Sequence, residues 1–106
     1  MNAATKWEIF VGLSDDKGEP IKAERVQKVF SKLVDGLTAD FGGCTLTPTT
    51  GAWGAVREDS VVVSVITTVP NVEAEEFIRH AAIFLKNHLR QQAVFVSKTA
   101  IEFVSI

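Results

Sequence analysis

Ser60-Val61-Val62-Val63-Ser64-Val65-Ile66-Thr67-Thr68-Val69 decides the fold: six of its ten residues are Val or Ile, and the other four are Ser or Thr. Branching at Cβ costs rotamer freedom in a helix and packs well on a pleated surface, so residues 60–69 are expected to form a strand. Apolar residues fall on both parities, with Val61, Val63 and Val65 on one and Val62 and Ile66 on the other. That pattern predicts a central strand covered on both sides.

Upstream, Trp7, Ile9, Val11 and Leu13 alternate with Lys6, Glu8, Phe10 and Gly12, the period-two pattern of a first strand. Turn formers end it at Ser14-Asp15-Asp16-Lys17-Gly18. Beyond Pro20, Val26, Val29, Phe30, Leu33, Val34 and Leu37 recur at helical spacing, and Gly42-Gly43 supplies the stop. Cys44-Thr45-Leu46-Thr47-Pro48-Thr49-Thr50 reads as a strand whose proline favours an edge or an end. Gly51-Ala52-Trp53-Gly54 reads as a turn or a bulged continuation.

Downstream, Pro70-Asn71 ends the strongest strand, and Asn71 is the expected N-cap of a second helix with Glu73, Glu75 and Glu76 at its positive end. Ala74, Phe77, Ile78, Ala81, Leu85 and Leu89 form its apolar stripe, and Lys86 and Arg90 sit at its negative end. Ala93 to Ser97 and Ala100 to Ser105 are two short strand-like runs, read as a hairpin turning at Lys98-Thr99. The order β-α-β-β-α-β, with an additional C-terminal strand, predicts an α+β fold of ferredoxin-like type: one antiparallel sheet with both helices on one face. At 106 residues, the chain 1–106 is expected to be a single such domain.

Composition narrows the function classes. Apolar residues at 46% and charged residues at 23% are globular values. Eleven Lys and Arg against thirteen Asp and Glu leave a net charge of -2, with no basic surplus for phosphates or anionic lipid. The third strand also lacks the aromatic residues on which RNA-binding sheets stack bases, so nucleic acid is not an expected partner. The longest wholly apolar run, Ala81 to Leu85, is far short of a membrane span. Cys44 is the only cysteine, which excludes an intrachain disulfide and fits a reducing compartment; a cytoplasmic protein is expected.

No metal set is expected, because His80 and His88 lie eight residues apart on one helix, roughly 12 Å along its axis. His80 is the better general-base candidate, with Phe77, Ala81 and Phe84 nearby to desolvate it, although a surface histidine is the simpler reading. Cys44 has no adjacent base and reads as a small hydrophobe. No phosphate loop and no nucleophile elbow is present, so no catalytic residue and no cofactor is assigned.

One constellation combines hydroxyls, an indole, a cation and a carboxylate: Thr45, Thr47, Thr49, Thr50, Trp53, Arg57, Glu58 and Ser60. Within it Thr47, Trp53, Arg57 and Glu58, joined by His80, are the candidate ligand-binding residues. The competing reading is a solvated edge of β-forming threonines, with Arg57 paired to Glu58 or Asp59.

The succession Phe10-Val11-Gly12-Leu13, Gly42-Gly43-Cys44-Thr45-Leu46, Gly51-Ala52-Trp53 and Glu58-Asp59-Ser60-Val61-Val62 resembles an uncharacterised family of small bacterial ferredoxin-like proteins. That family has a glycine-x-tryptophan turn and a glutamate-x-serine opening of the third strand. More broadly the pattern is similar to dimeric α+β barrel proteins, in which two such sheets stack face to face. The resemblance implies the topology and no activity.

Two helices hide one side of such a sheet, yet Phe10, Ile66 and Phe95 project to the other. A homo-oligomer, first a dimer, is therefore expected through Phe10, Leu46, Ile66, Phe95 and Phe103. The alternative is self-coverage by the C-terminal hairpin or the 47–53 segment. The functional expectation is a small non-catalytic self-associating module that binds a protein or small-molecule partner, of the accessory, regulatory or phage-encoded inhibitory kind. The alternative is a small-molecule enzyme of the dimeric α+β barrel type with its pocket near Trp53, Arg57 and Glu58.

Overall fold

The alternation of Trp7, Ile9 and Val11 with polar neighbours produces a long first strand, β1 (Asn2–Gly12), in a computed structural model that describes residues 2–68 and 71–106. It is followed by α1 (Ala23–Phe41), β2 (Thr45–Trp53), β3 (Val56–Thr67), α2 (Asn71–His88) and β4 (Phe95–Phe103). All pairings are antiparallel and the sheet order is β2-β3-β1-β4, the α+β ferredoxin-like arrangement. The most β-branched segment is thus an inner strand, but it is covered on the helix side only: Val63 and Val65 are buried there, whereas Ile66 on the other parity is 52% exposed.

Register decides what faces the helices. Ile9 lies opposite Val63 and Val96, and Trp7 opposite Val65 and Lys98. Trp7, Ile9, Val11, Val63 and Val65 are buried with Val29, Phe30, Leu33 and Leu37 of α1 and Ala74, Ile78, Ala82 and Leu85 of α2. The indole N–H of Trp7 donates to Thr67 Oγ1 at 3.0 Å, so the buried indole and its buried partner are both satisfied.

Three expectations change. The run 60–69 begins earlier, at Val56, and ends at Thr67; Val69 and Pro70 lie outside the described residues. The 51–54 segment continues β2 to Trp53, and a two-residue turn at Gly54-Ala55 leads into β3. Gly54 has φ +58, the conformation that a hairpin of this length demands at its first turn residue. The C-terminal hairpin and extra strand do not form. β4 runs unbroken through Lys98 and Thr99 because β1 offers a partner at every position from Asn2 to Phe10. A turn there would sacrifice the pairs Trp7–Lys98 and Lys6–Thr99 for two residues with no turn preference.

Both helices end in left-handed residues. At α1 this is Gly42 (φ +85), whose N–H bonds to Thr38 O at 2.8 Å. At α2 it is Arg90 (φ 50), followed by Gln91, whose N–H reaches Lys86 O at 2.9 Å. The Gln91 amide also donates to Ser14 O at 2.8 Å, tying this end to the loop after β1. Asn71 is the first residue of α2 itself, and its Oδ1 accepts the Thr5 hydroxyl at 3.0 Å.

Candidate functional site

Side chains of paired residues share a face, so the ladders define the side of the sheet that the helices leave uncovered. One row across it reads Thr47, Val62, Phe10, Phe95 from β2 to β4. The next reads Thr45, Ser64, Glu8, Ser97, and beyond it Ile66, Lys6 and Thr99. Toward the β2–β3 turn the row is Thr49, Ser60, Gly12, with Thr49 Oγ1 and Ser60 Oγ 2.7 Å apart. The face is therefore an aromatic and aliphatic band between two hydroxyl-rich bands.

Phe10 is 42% exposed, Ile66 52% and Phe95 60%, and Phe103 and Ile101 are half-buried further along β4. Among the described residues no segment folds across this face: the 47–53 run lies within the sheet as part of β2, and residues 95–103 are its other edge. Self-coverage is overturned on both counts. Leu46 is opposite the buried Val63 and so belongs to the helix side, unlike Phe10, Ile66, Phe95 and Phe103.

Of the five candidate ligand residues, the four whose side chains are described, Thr47, Arg57, Glu58 and His80, do not converge. Thr47 and Glu58 lie on the open face, and the Glu58 carboxylate lies over Gly12, where a built Cβ would meet Oε1 at 2.5 Å. A side chain at position 12 would oblige the flexible end of Glu58 to move aside. Arg57 is one residue out of phase, and its guanidinium folds back onto Gly54 O (3.0 Å) and Val56 O (3.2 Å) of its own turn. Trp53 closes the ladder opposite Val56; its side chain lies outside what is described. His80 is exposed in a groove between the helices with Asp40, Phe77 and Phe84, on the other side of the molecule from Thr47 and Glu58.

His88 stacks on Phe84 with ring centres 4.5 Å apart. Cys44 packs against the core, and partial burial pushes its thiol above the usual range, the opposite of nucleophilic activation. Among the described residues no three His, Cys, Asp or Glu side chains gather as a metal site. Among the described residues no helix is long and apolar enough to cross a membrane. Glu8 and Ser97, central on the open face, escaped the sequence reading; their signal was shared parity with Phe10 and Phe95.

No family profile matches the chain, and no curated protein matches it in sequence. Solved structures do match. A phage SAM lyase in its apo state superposes with a TM-score of 0.76 at 16% identity, covering 92% of this chain and 81% of that one. The phage SAM lyase in complex with S-methyl-5′-thioadenosine gives a TM-score of 0.72 at 16% identity, over 91% and 80%. CutA from Synechococcus elongatus PCC7942 gives 0.50 at 15% identity, over 95% and 79%. At these identities the likeness is one of fold.

Proposed function

We propose that this protein is a self-associating ferredoxin-like module that uses the open face of its sheet to bind a small molecule, and that the ligand is a sulfonium nucleoside of the S-adenosylmethionine class. The observation that carries the reading is the uncovered row of Phe10, Val62 and Phe95, bordered by hydroxyls and by the carboxylates of Glu8 and Glu58. Aromatic rings stack on a purine, hydroxyls suit a ribose, and a carboxylate attracts a sulfonium cation. Thr47 and Glu58 keep the ligand roles expected of them, with Glu8 added. Arg57 and His80 are withdrawn from a shared pocket, and Phe10, Ile66, Phe95 and Phe103 are the proposed self-contact, with the ligand held between the two facing sheets. Burying such side chains is worth about 1.5–3 kcal/mol each, which is comparable in sum with the cost of association.

The phage SAM lyase shares its fold over nine-tenths of this chain, which selects S-adenosylmethionine as the ligand to test. Incubation of the purified protein with S-adenosylmethionine, followed by mass spectrometry, separates the readings. Release of S-methyl-5′-thioadenosine supports a lyase, and saturable binding without product supports a non-catalytic binder. The absence of both product and binding overturns the ligand assignment, and so does binding that Phe10→Ser and Glu58→Gln leave unchanged.

A further inference from the structure

We infer that the outer edge of β4 is a dimerisation strand, which pairs antiparallel with β4 of a second copy about a two-fold axis through Thr99. This contact uses an edge, whereas the proposed function uses the open face, and it stands without the ligand assignment. β4 ends the sheet order, so among the described residues one side of its backbone has no ladder partner. The opposite edge, β2, contains Pro48, which lacks an N–H and blunts that side; β4 contains no proline. Apolar groups flank β4 on both faces, with Phe95 60% exposed on one, and Val96 40% and Ile83 of α2 49% exposed on the other.

The side-chain pattern specifies the partner. Faces match across a two-fold axis only when the axis passes through a residue. An axis at Lys98 would set two ammonium groups against each other. At Thr99, all nine residues pair: Phe95 meets Phe103 of the second copy, Val96 meets Glu102, Ser97 meets Ile101, and Lys98 meets Ala100. Glu102 of the second copy then lies on one diagonal of Lys98, within reach of long side chains, and Lys98 of the second copy on the other, so the two ammonium groups are no longer directly opposed and each has a carboxylate beside it.

The same register brings that carboxylate onto the helix side, beside a hollow of about 430 Å³ between α2 and β4. Its rim carries Arg79, Lys86 and Lys98, with Lys98 Nζ 5.8 Å from the centre of the Trp7 ring. Arg79 is partly engaged by Glu75 at 4.0 Å, but the rim still holds a cationic excess on a chain of net charge -2. A partner carboxylate complements it.

The test is sedimentation equilibrium of the full chain with Lys98→Glu, Glu102→Lys and the double exchange, circular dichroism confirming the fold of each. Two reversed pairs per dimer are expected to raise the dimer Kd about ten-fold in either single variant, and the double exchange to return it to within about three-fold of the parent. With Cys44→Ser as background, Thr99→Cys is expected to form a disulfide-linked dimer under mild oxidation. A monomeric parent overturns the inference. So does a Kd unmoved by the single reversals, or a folded double exchange as weak as the singles. Phe10→Ser lies outside this edge, so association lost only in that variant supports the open face and refutes the β4 contact.

Discussion

Thr67 is buried at the end of β3, where its hydroxyl accepts the Trp7 indole N–H. Replacing it with valine keeps the shape and strands the donor. Thr67→Val is expected to lower unfolding free energy by about 1–3 kcal/mol, measured by urea denaturation. Asp15 offers a contrasting case at the surface. Its Oδ1 accepts the backbone N–H groups of Glu19 and Lys17, both at 2.9 Å, and these bonds hold its carboxyl below the ordinary value of 3.8. A depressed carboxyl stabilises the fold fully above its unfolded pKa, and that contribution disappears as pH falls through the folded value. A carboxyl-carbon NMR titration should therefore place the Asp15 midpoint below 3.8, and Asp15→Asn should remove this part of the acid-limb dependence. Glu58 illustrates the limit of reading residues singly: as a carboxylate two residues before Ser60 it was visible, but its position over Gly12 depends on the β1–β3 register.

At the scale of elements, the two helix ends place a left-handed residue after the last turn, one as glycine and one as arginine. A side chain in that conformation is strained by its Cβ. Gly42→Ala is expected to cost about 1 kcal/mol, and Arg90→Gly to gain somewhat less because glycine also has more freedom to lose on folding. Thermal melts of the pair test both signs. The stop at Gly42 was legible because glycine announces itself; the stop at Arg90 was not, because its conformation is imposed by the Gln91 bonds to Ser14 and Lys86, which are tertiary or lie along the helix end. The same asymmetry explains the strands. Period-two alternation exposes the faces of β1 and β3, but the sequence divides β4 at Lys98-Thr99 because nothing local shows that β1 reaches back to Asn2 and pairs across that site. Leu46 reads from sequence as an open-face residue for a related reason: its parity is fixed only by Val63 opposite.

For the molecule as a whole, the distinction that matters is between a covered and an uncovered side of one sheet. Phe10→Ser is expected to leave the unfolding free energy of the isolated chain within about 1 kcal/mol, since the ring is 42% exposed. The same substitution should reduce concentration-dependent association, and sedimentation velocity over a hundred-fold dilution range reads the difference. The excess of apolar side chains over what two helices can hide was legible from alternation alone. The composition of each row across the face was not, because it joins residues from four strands distant in sequence. That is also why, of the candidate ligand group Thr47, Trp53, Arg57, Glu58 and His80, the described side chains of Thr47, Arg57, Glu58 and His80 do not meet: neighbours along the chain alternate between sides, and helical phase carries His80 away from the strands.

The pairing of β1 with β4 also orders the birth of the molecule. During translation α1, the β2–β3 hairpin and α2 emerge and can pack while β1 still has one bare flank, from Asn2 to Phe10. That flank stays open until residues 95–103 clear the ribosome. In the interval the nascent chain presents its own central strand as a template for any extended segment nearby. Slow codons placed before residue 95 would lengthen that vulnerable stage and raise the yield of aggregate, while the sequence of the finished protein stayed the same.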